Sequence, residues 1–199
     1  MASVFLIGPS GVGKTTIAKE LMNHLMDWEI INIDEEVEKI TPPIYFSSSN
    51  SLELFFEAFF GVAVSLINEL EKSSSRHLVF DVGAGCLQSK NSLHFFQSRN
   101  TVLIYDSPEN TLRKIQSRPG NCWLNNTVVS FEAVEYSLSR HMLYESSCYR
   151  IDVGKCSLKE AVNNLLSYLK MIQQKGLEPF YLMEPTDHCI MDPEFRTGK

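Results

Sequence analysis

The feature that most constrains the fold is a glycine-rich segment, Gly8-Pro-Ser-Gly-Val-Gly-Lys-Thr15, which follows an apolar run at residues 4–7. It matches the pattern Gly-x4-Gly-Lys-Ser/Thr of a phosphate-binding loop placed between a strand and a helix. Glycines allow the backbone N–H groups to point into such a loop, and the helix N-terminus adds partial positive charge. The segment therefore predicts a strand-loop-helix unit that binds a nucleoside triphosphate.

Each part of this loop has a predicted role in holding ATP and Mg²⁺. The Lys14 ammonium is expected to reach the β- and γ-phosphates, and the Thr15 hydroxyl is expected to bind the metal ion. The remaining contacts are assigned to backbone groups of the loop and of the first helical turn. The nucleotide-binding residues predicted in this segment are Gly8, Gly11, Val12, Gly13, Lys14, Thr15 and Thr16.

Short apolar segments of strand length alternate with longer segments of helical period. This alternation is typical of a parallel sheet covered by helices on both faces, so we predict a three-layer α/β/α fold with a five-stranded parallel sheet. The predicted strands are residues 3–7, 29–33, 77–82, 101–105 and 148–153.

Helices are predicted in the intervals between the strands. The first follows Gly13 and carries Ile17, Leu21 and Leu25 on one stripe; others are predicted at residues 51–71, from Ser130 as N-cap to about residue 145, and at 158–172. The periodic pattern stops after residue 175. We therefore predict one domain at residues 1–175, followed by an extended tail at 176–199 that contains three prolines.

Composition narrows the possible partners. The 199 residues include 44% hydrophobic and 21% charged residues and carry a net charge of −6, so the chain lacks the basic surface of a nucleic-acid-binding protein and has no polybasic arm for a membrane. The five cysteines are odd in number and widely spaced, which is not the pattern of a disulfide framework. With no apolar run long enough to span a bilayer and no recognisable signal peptide, we expect a cytoplasmic protein.

A second carboxylate of the nucleotide site is predicted at Asp81, where the apolar strand that starts at His77 ends. Ligands of parallel sheets bind at the carboxyl ends of the strands, and phosphate-loop enzymes place an Asp there to hold Mg²⁺. An Asp in this position can also cap the turn that follows. With the phosphate loop present, the metal role is the favoured interpretation.

These two segments and the stretches around them resemble the shikimate kinase family of small-molecule kinases, over residues 3–169. The family has Asp-x-Asp at the end of strand two, and this chain has Asn32-Ile33-Asp34, so only the second Asp is kept. The resemblance implies that Asp34 binds the acceptor hydroxyl and acts as the base. The alternative for Asp34 is N-capping of the helix that begins before Glu35.

Further parts of the resemblance concern the acceptor and the lid. Gly83-Ala84-Gly85 is similar to the family's triple-glycine loop, whose backbone approaches the acceptor, and Arg140 stands where the family has an Arg that binds the substrate carboxylate, with Tyr144 one turn later. Lys114 falls where a residue covers the adenine. Arg118 marks the start of a lid at residues 118–128, where its charge would stabilise the transferred phosphoryl group.

One difference from the family lies in the helix after strand two. The family has Phe-Arg-x-x-Glu there, with a second Arg for the carboxylate, and residues 55–64 of this chain contain no Arg. The sequence alignment places Phe60 at that Arg, so the acceptor wall is expected to be apolar. Arg76 and Arg99 precede their strands and are expected at the opposite edge of the sheet.

We therefore expect an ATP- and Mg²⁺-dependent kinase that phosphorylates a hydroxyl of shikimate or of a shikimate-like cyclic or polyol acid. Two alternatives stay open. One is a kinase for another small acceptor, among which a nucleotide is disfavoured because the chain has only seven arginines. The other is an ATP-binding module that lacks acceptor chemistry and acts through a protein partner. The expected assembly is a monomer or a weak homo-oligomer.

Overall fold

One parallel sheet of five strands forms the centre of the protein. The computed structural model describes residues 1–40, 50–118 and 127–175, and the predicted tail at 176–199 and most of the predicted lid lie outside these ranges. The spatial order of the strands is β2-β3-β1-β4-β5, and all neighbours run parallel. In chain order the strands are β1 Ser3–Ile7, β2 Trp28–Asn32, β3 His77–Asp81, β4 Thr101–Tyr105 and β5 Tyr149–Asp152.

Helices cover both faces of this sheet, which confirms the predicted three-layer α/β/α fold. In the described residues they are α1 Lys14–Leu21, α2 Ile33–Ile40, α3 Asn50–Ser73, α4 Ser92–Phe96, α5 Pro108–Gln116, α6 Val128–Glu135, α7 Leu138–Glu145 and α8 Leu158–Lys175. None of them is long and apolar enough to serve as a membrane span.

The alternation of side chains along the strands divides the core into two layers. In β1, Val4 and Leu6 belong to the layer that contains α1 and α8, whereas Phe5 and Ile7 belong to the layer that contains α3 and α7. Both sets are fully buried because helices cover the sheet on each side, which explains the continuous apolar sequence of the strand. The rings of Phe5 and Phe80 of β3 stack at 4.9 Å.

The predicted strands are confirmed to within one residue at each end, and the predicted helices at 51–71 and 158–172 are confirmed as α3 and α8. The first helix is shorter than its apolar stripe indicates. It ends at Leu21, and Leu25 packs on the same core from beyond the helix.

The single helix predicted from Ser130 to about residue 145 is wrong. The structure contains two helices there, α6 and α7, with a break at Tyr136 and Ser137. Thr127, not Ser130, caps α6 by accepting a hydrogen bond from the Ser130 N–H at 3.2 Å. The Tyr136 hydroxyl donates to the Asp106 carbonyl at 2.9 Å, and Ser137 has the extended backbone that starts a new helix.

Candidate active site

The phosphate loop lies between β1 and α1, as predicted. Gly8, Gly11 and Gly13 have φ angles of 144°, 77° and 118°, which L-residues with a side chain rarely adopt. A side chain at Gly8 would also overlap the Ile104 carbonyl of β4, so the loop fits tightly against the neighbouring strand. No side chain caps the first turn of α1, and its N–H groups are therefore available to an anion.

Lys14 is buried beneath the loop with 6% of its surface exposed. Its ammonium donates to the carbonyls of Gly8 and Pro9 at 2.8 and 2.9 Å. Burial lowers the pKa of this ammonium, while the carboxylates of Asp81, Glu135 and Asp34 oppose the shift. The cation is thus held inside the loop, close to three acids. Val12 is buried beside it, whereas Thr16 is exposed on α1.

Asp81 lies at the end of β3 with 3% of its surface exposed. Burial raises the pKa of its carboxyl, and a hydrogen bond from the Thr15 hydroxyl and the charge of Lys14 oppose that rise. Its Oδ2 atom has no hydrogen-bond partner within the described residues. A carboxylate oxygen without a partner beside a threonine hydroxyl is the hard oxygen donor set that suits Mg²⁺ together with nucleotide phosphates, so these residues fit the metal ion.

Asp34 lies in the first turn of α2, and its carboxylate contacts the segment Gly83-Ala84-Gly85 after β3, which we call the acceptor loop because the resemblance assigns it to the acceptor. The Gly83 N–H donates to the carboxylate, and a side chain at Gly83 would overlap it. Burial raises the pKa of Asp34 to about 6, with Lys14 opposing the rise and Asp81 adding to it. Its Oδ1 atom has no partner in the described part of the chain. A partly buried carboxylate with a free oxygen and this pKa can accept a proton near neutral pH.

The N-cap of α2 is Asn32, so capping does not explain Asp34. The Asn32 side-chain oxygen accepts from the Glu35 N–H at 3.2 Å, and its amide donates to the Glu35 carboxylate at 3.1 Å. This reciprocal pair is similar to a capping box, except that Glu35 accepts from the side-chain amide of Asn32 and not from its backbone N–H, and it uses the residue that replaces the family's first Asp. Asp34 is thereby free to face Gly83.

Arg140 is fully buried, with 1% of its surface exposed, and it contacts the acceptor loop. Its guanidinium donates to the Ala84 carbonyl at 2.9 Å and forms an ion pair with Glu135, which is also 1% exposed. Tyr144 lies one turn further along α7, and burial raises the pKa of its hydroxyl. The structure thus brings Arg140 and Ala84 together. The carboxylate that pairs with Arg140 is one of the protein's own, that of Glu135.

Glu135 is a site residue that the sequence interpretation missed. It ends α6, and its carboxylate accepts from the Ser10 N–H of the phosphate loop at 3.2 Å. Residues five positions apart on one continuous helix lie about 140° apart around the axis. The break between α6 and α7 is what allows Glu135 to reach Arg140. A Ser with N-cap preference at position 137 is the sequence signal that could have indicated the break.

The phenylalanines of α3 that lie beside the acceptor loop are not the one that the sequence predicted. Phe60 points away into the core, where its ring contacts Phe95 and Phe96 at 5.8 and 6.4 Å, so its placement on the acceptor wall is wrong. The helix instead brings the rings of Phe56 and Phe59 to Gly85, about 4 Å from where a side chain at that position would begin. The wall is apolar, as expected, but it is built by different phenylalanines.

The predicted adenine and lid residues lie on the other side of the phosphate loop. Lys114 of α5 donates to the Asp106 carboxylate at 2.7 Å, and Asp106 directly follows β4. Arg118 is exposed just after α5, and residues 119–126 of the predicted lid are outside the described ranges. Arg76 and Arg99 lie just before β3 and β4, at the sheet edge opposite the phosphate loop, as expected.

Similarity to known proteins extends over most of the chain. Residues 2–149 match a family described as Novel STAND NTPase 3. The shikimate kinase of Buchnera aphidicola (subsp. Baizongia pistaciae) is 30% identical over 163 residues, which cover 72% of this chain and 82% of that protein. The shikimate kinase of Enterococcus faecalis is 29% identical over 177 residues, covering 85% and 99%.

Solved structures with the same fold include a shikimate kinase and a tunicamycin resistance protein. The enzyme from Acinetobacter baumannii, solved in complex with shikimate, has a TM-score of 0.63 at 19% identity and covers 88% of this chain and 96% of its own. The tunicamycin resistance protein of Deinococcus radiodurans has a TM-score of 0.58 at 16% identity, covering 84% and 95%. At these identities the likeness establishes the fold.

Proposed function

Because the chain belongs to the shikimate kinase family, and over residues 2–149 also to the family described as Novel STAND NTPase 3, we propose that it transfers the γ-phosphoryl group of ATP to a hydroxyl of a small metabolite. Shikimate or a shikimate-like cyclic or polyol acid is the acceptor that the relatives favour. The observation that carries the proposal is the proximity of Asp34 to Lys14, Asp81 and the acceptor loop.

On the nucleotide side, the loop N–H groups and the Lys14 ammonium bind the triphosphate. Lys14 would exchange its bonds to the Gly8 and Pro9 carbonyls for bonds to phosphate oxygens, so the ammonium stays hydrogen-bonded throughout. Thr15 and Asp81 would hold Mg²⁺, which neutralises phosphate charge when bound. Lys114 would lie beside the adenine, and Arg118 would stabilise the transferred charge.

On the acceptor side, Asp34 orients the hydroxyl and takes its proton. The acceptor oxygen forms a bond to the γ-phosphorus, the bond from that phosphorus to the β–γ bridging oxygen breaks, and ADP leaves with the electron pair. The backbone of Gly83, Ala84 and Gly85, together with Arg140 behind it, positions the acceptor. Since the pKa of Asp34 is about 6, the carboxylate is largely ionised at neutral pH and ready to act as base.

The test is ATP consumption measured over a panel of hydroxy acids, cyclitols and sugar alcohols, with product phosphorylation checked by mass spectrometry. We expect one acceptor to stimulate ATP use, and we expect Asp34→Asn to remove that stimulation while MgATP binding is kept. Glu36→Gln is a matched control, because Glu36 is an acid on the same helix whose ion-pair partner is the exposed Lys39. ATP binding with no stimulated transfer would refute the proposal.

The match to an NTPase family supports one alternative, an ATP-binding module without an acceptor. The same assay separates the two functions. A kinase gives a phosphorylated acceptor in amounts equal to the ADP formed. An NTPase gives inorganic phosphate at a rate that does not change with any acceptor.

A further inference from the structure

The Glu135–Arg140 ion pair connects the two halves of the candidate site. Glu135 accepts from the Ser10 N–H of the phosphate loop, and Arg140 donates to the Ala84 carbonyl of the acceptor loop. Both side chains are 1% exposed, so water does not screen their interaction. The guanidinium that the resemblance assigns to a substrate carboxylate is therefore already paired with a carboxylate of the protein.

The groups around Lys14 carry a net negative charge when all of them are ionised. The charges that act on its ammonium are three carboxylates, Asp34, Asp81 and Glu135, and one further cation, Arg140. Glu38 adds negative charge near Asp34, whereas near Asp81 the negative charge of Glu35 is opposed by the positive charge of Lys19. Lys14 is committed to the phosphates of ATP, and Arg140 is committed to Glu135. A carboxylate on the acceptor would meet no uncompensated cation among these described groups.

The side of the acceptor loop that faces α3 provides apolar surface. Phe56 and Phe59 are half-buried, and their rings lie beside Gly85. A phenylalanine ring packs against carbon atoms of a ligand and offers no hydrogen-bond donor to an anion. The site thus presents a base, backbone polar groups and an aromatic wall.

We propose that the acceptor is an uncharged hydroxyl compound with an apolar face, such as a neutral cyclitol or an ester of a cyclic hydroxy acid, and that Glu135 sets this preference. The inference rests on the proposed kinase function but departs from the acidic acceptor that the relatives favour, because it assigns an uncharged compound of similar shape. Glu135 is a positioning residue: it acts through Arg140, whose charge it compensates, and it fixes the guanidinium against the Ala84 carbonyl. An acidic acceptor is disfavoured because its desolvated carboxylate finds no free cation.

The experiment compares shikimate with its methyl ester, which differs in charge but hardly in shape. Phosphoryl transfer is measured for both compounds, and binding is measured as the rise in melting temperature in the presence of Mg²⁺ and a non-hydrolysable ATP analogue. We expect the ester to bind at least about tenfold more tightly than the acid, and to show the same preference in kcat/KM.

Two variants test the role of Glu135. Glu135→Gln releases the charge of Arg140, so the ratio of acid to ester binding should rise at least about tenfold. The second variant combines Glu135→Leu with Arg140→Met, because an apolar replacement of a whole buried ion pair is often tolerated even where removal of one partner prevents folding. It should keep the preference for the ester, since the wild-type pair contributes no net charge.

Each outcome decides the matter. The neutral-acceptor inference is overturned if the wild-type protein binds the acid more tightly than the ester. It is also overturned if the double variant loses acid binding while its ester binding is unchanged. Either result leaves the kinase function standing. A protein that binds the ATP analogue but neither compound, and phosphorylates no acceptor of the panel, refutes the kinase function as well.

Discussion

Gly83→Ala tests the role of Asp34 without changing any polar group of the site. The added methyl carbon would overlap the Asp34 carboxylate, and an ordinary contact needs at least 3.4 Å. The carboxylate must therefore move by roughly 1.5–2 Å. The φ angle of Gly83 is not in the left-handed region, so alanine causes no backbone strain of its own. The substitution thus acts on the position of the carboxylate.

The loss of rate expected from a displacement of this size can be estimated. A misplacement of about 1 Å in a reacting group can cost about 10²-fold in rate. We expect Gly83→Ala to lower kcat for acceptor phosphorylation by about 10²-fold or more, with the affinity for MgATP unchanged within about twofold. The bonds that the structure gives Lys14 and Thr15 are to the phosphate loop and to Asp81, and not to Gly83.

Steady-state kinetics with the best acceptor of the panel, together with the ATP-induced rise in melting temperature, provide the measurement. Gly61→Ala is the matched control, since a side chain at Gly61 in α3 meets no atom within 4 Å. It should leave activity unchanged and stabilise the helix by about 0.5–1 kcal/mol. The double variant Gly83→Ala, Asp34→Asn should be no slower than Asp34→Asn alone. Full activity of Gly83→Ala would refute the assignment of Asp34 as the base.

Three further predictions concern the nucleotide, the metal and pH. Lys14→Ala should abolish the ATP-induced rise in melting temperature with the fold intact by circular dichroism; an unchanged rise contradicts the loop assignment. Asp81→Asn should raise the Mg²⁺ concentration for half-maximal activity by about tenfold or more, because an amide is a poorer Mg²⁺ ligand than a carboxylate. Asn32→Ala should change the Mg²⁺ titration little, although the lost cap of α2 should lower the free energy of unfolding by about 1 kcal/mol. The value of kcat/KM should rise with pH through about 6, where Asp34 loses its proton, and level off above; a profile flat from pH 5 to 8 contradicts the base role.

Much of the fold was predictable because its signals are local. The phosphate loop is a contiguous pattern whose glycines have the positive φ angles that the pattern requires. Each of the five strands appears in the sequence as a short apolar segment, because helices bury both faces of the sheet. Asp81 is found from its position at the end of such a run.

The acceptor side could be predicted only in part, because its contacts depend on geometry between elements. Glu135 is one of 24 acidic residues, and on the predicted continuous helix it would face away from Arg140. Phe60 was placed by sequence alignment alone, whereas the rotation of α3 decides which phenylalanines face Gly85. Asn32 could have been identified as the cap, since Glu35 stands three residues later, as in a capping box.

The strand order explains why one ion pair can influence both substrates. β1 lies in the middle of the sheet, so the phosphate loop has β3 with the acceptor loop on one side and β4 with Asp106 on the other. The helices α6 and α7 follow β4 in the chain, yet Glu135 contacts the phosphate loop and Arg140 contacts the loop after β3. A buried pair that bonds to both loops fixes their separation, and in the proposed transfer it would therefore set the distance between the γ-phosphate and the acceptor hydroxyl. Glu135 and Arg140 would then affect alignment for transfer as well as acceptor charge, which is why their variants must be compared by the ratio of two acceptors and not by rate alone.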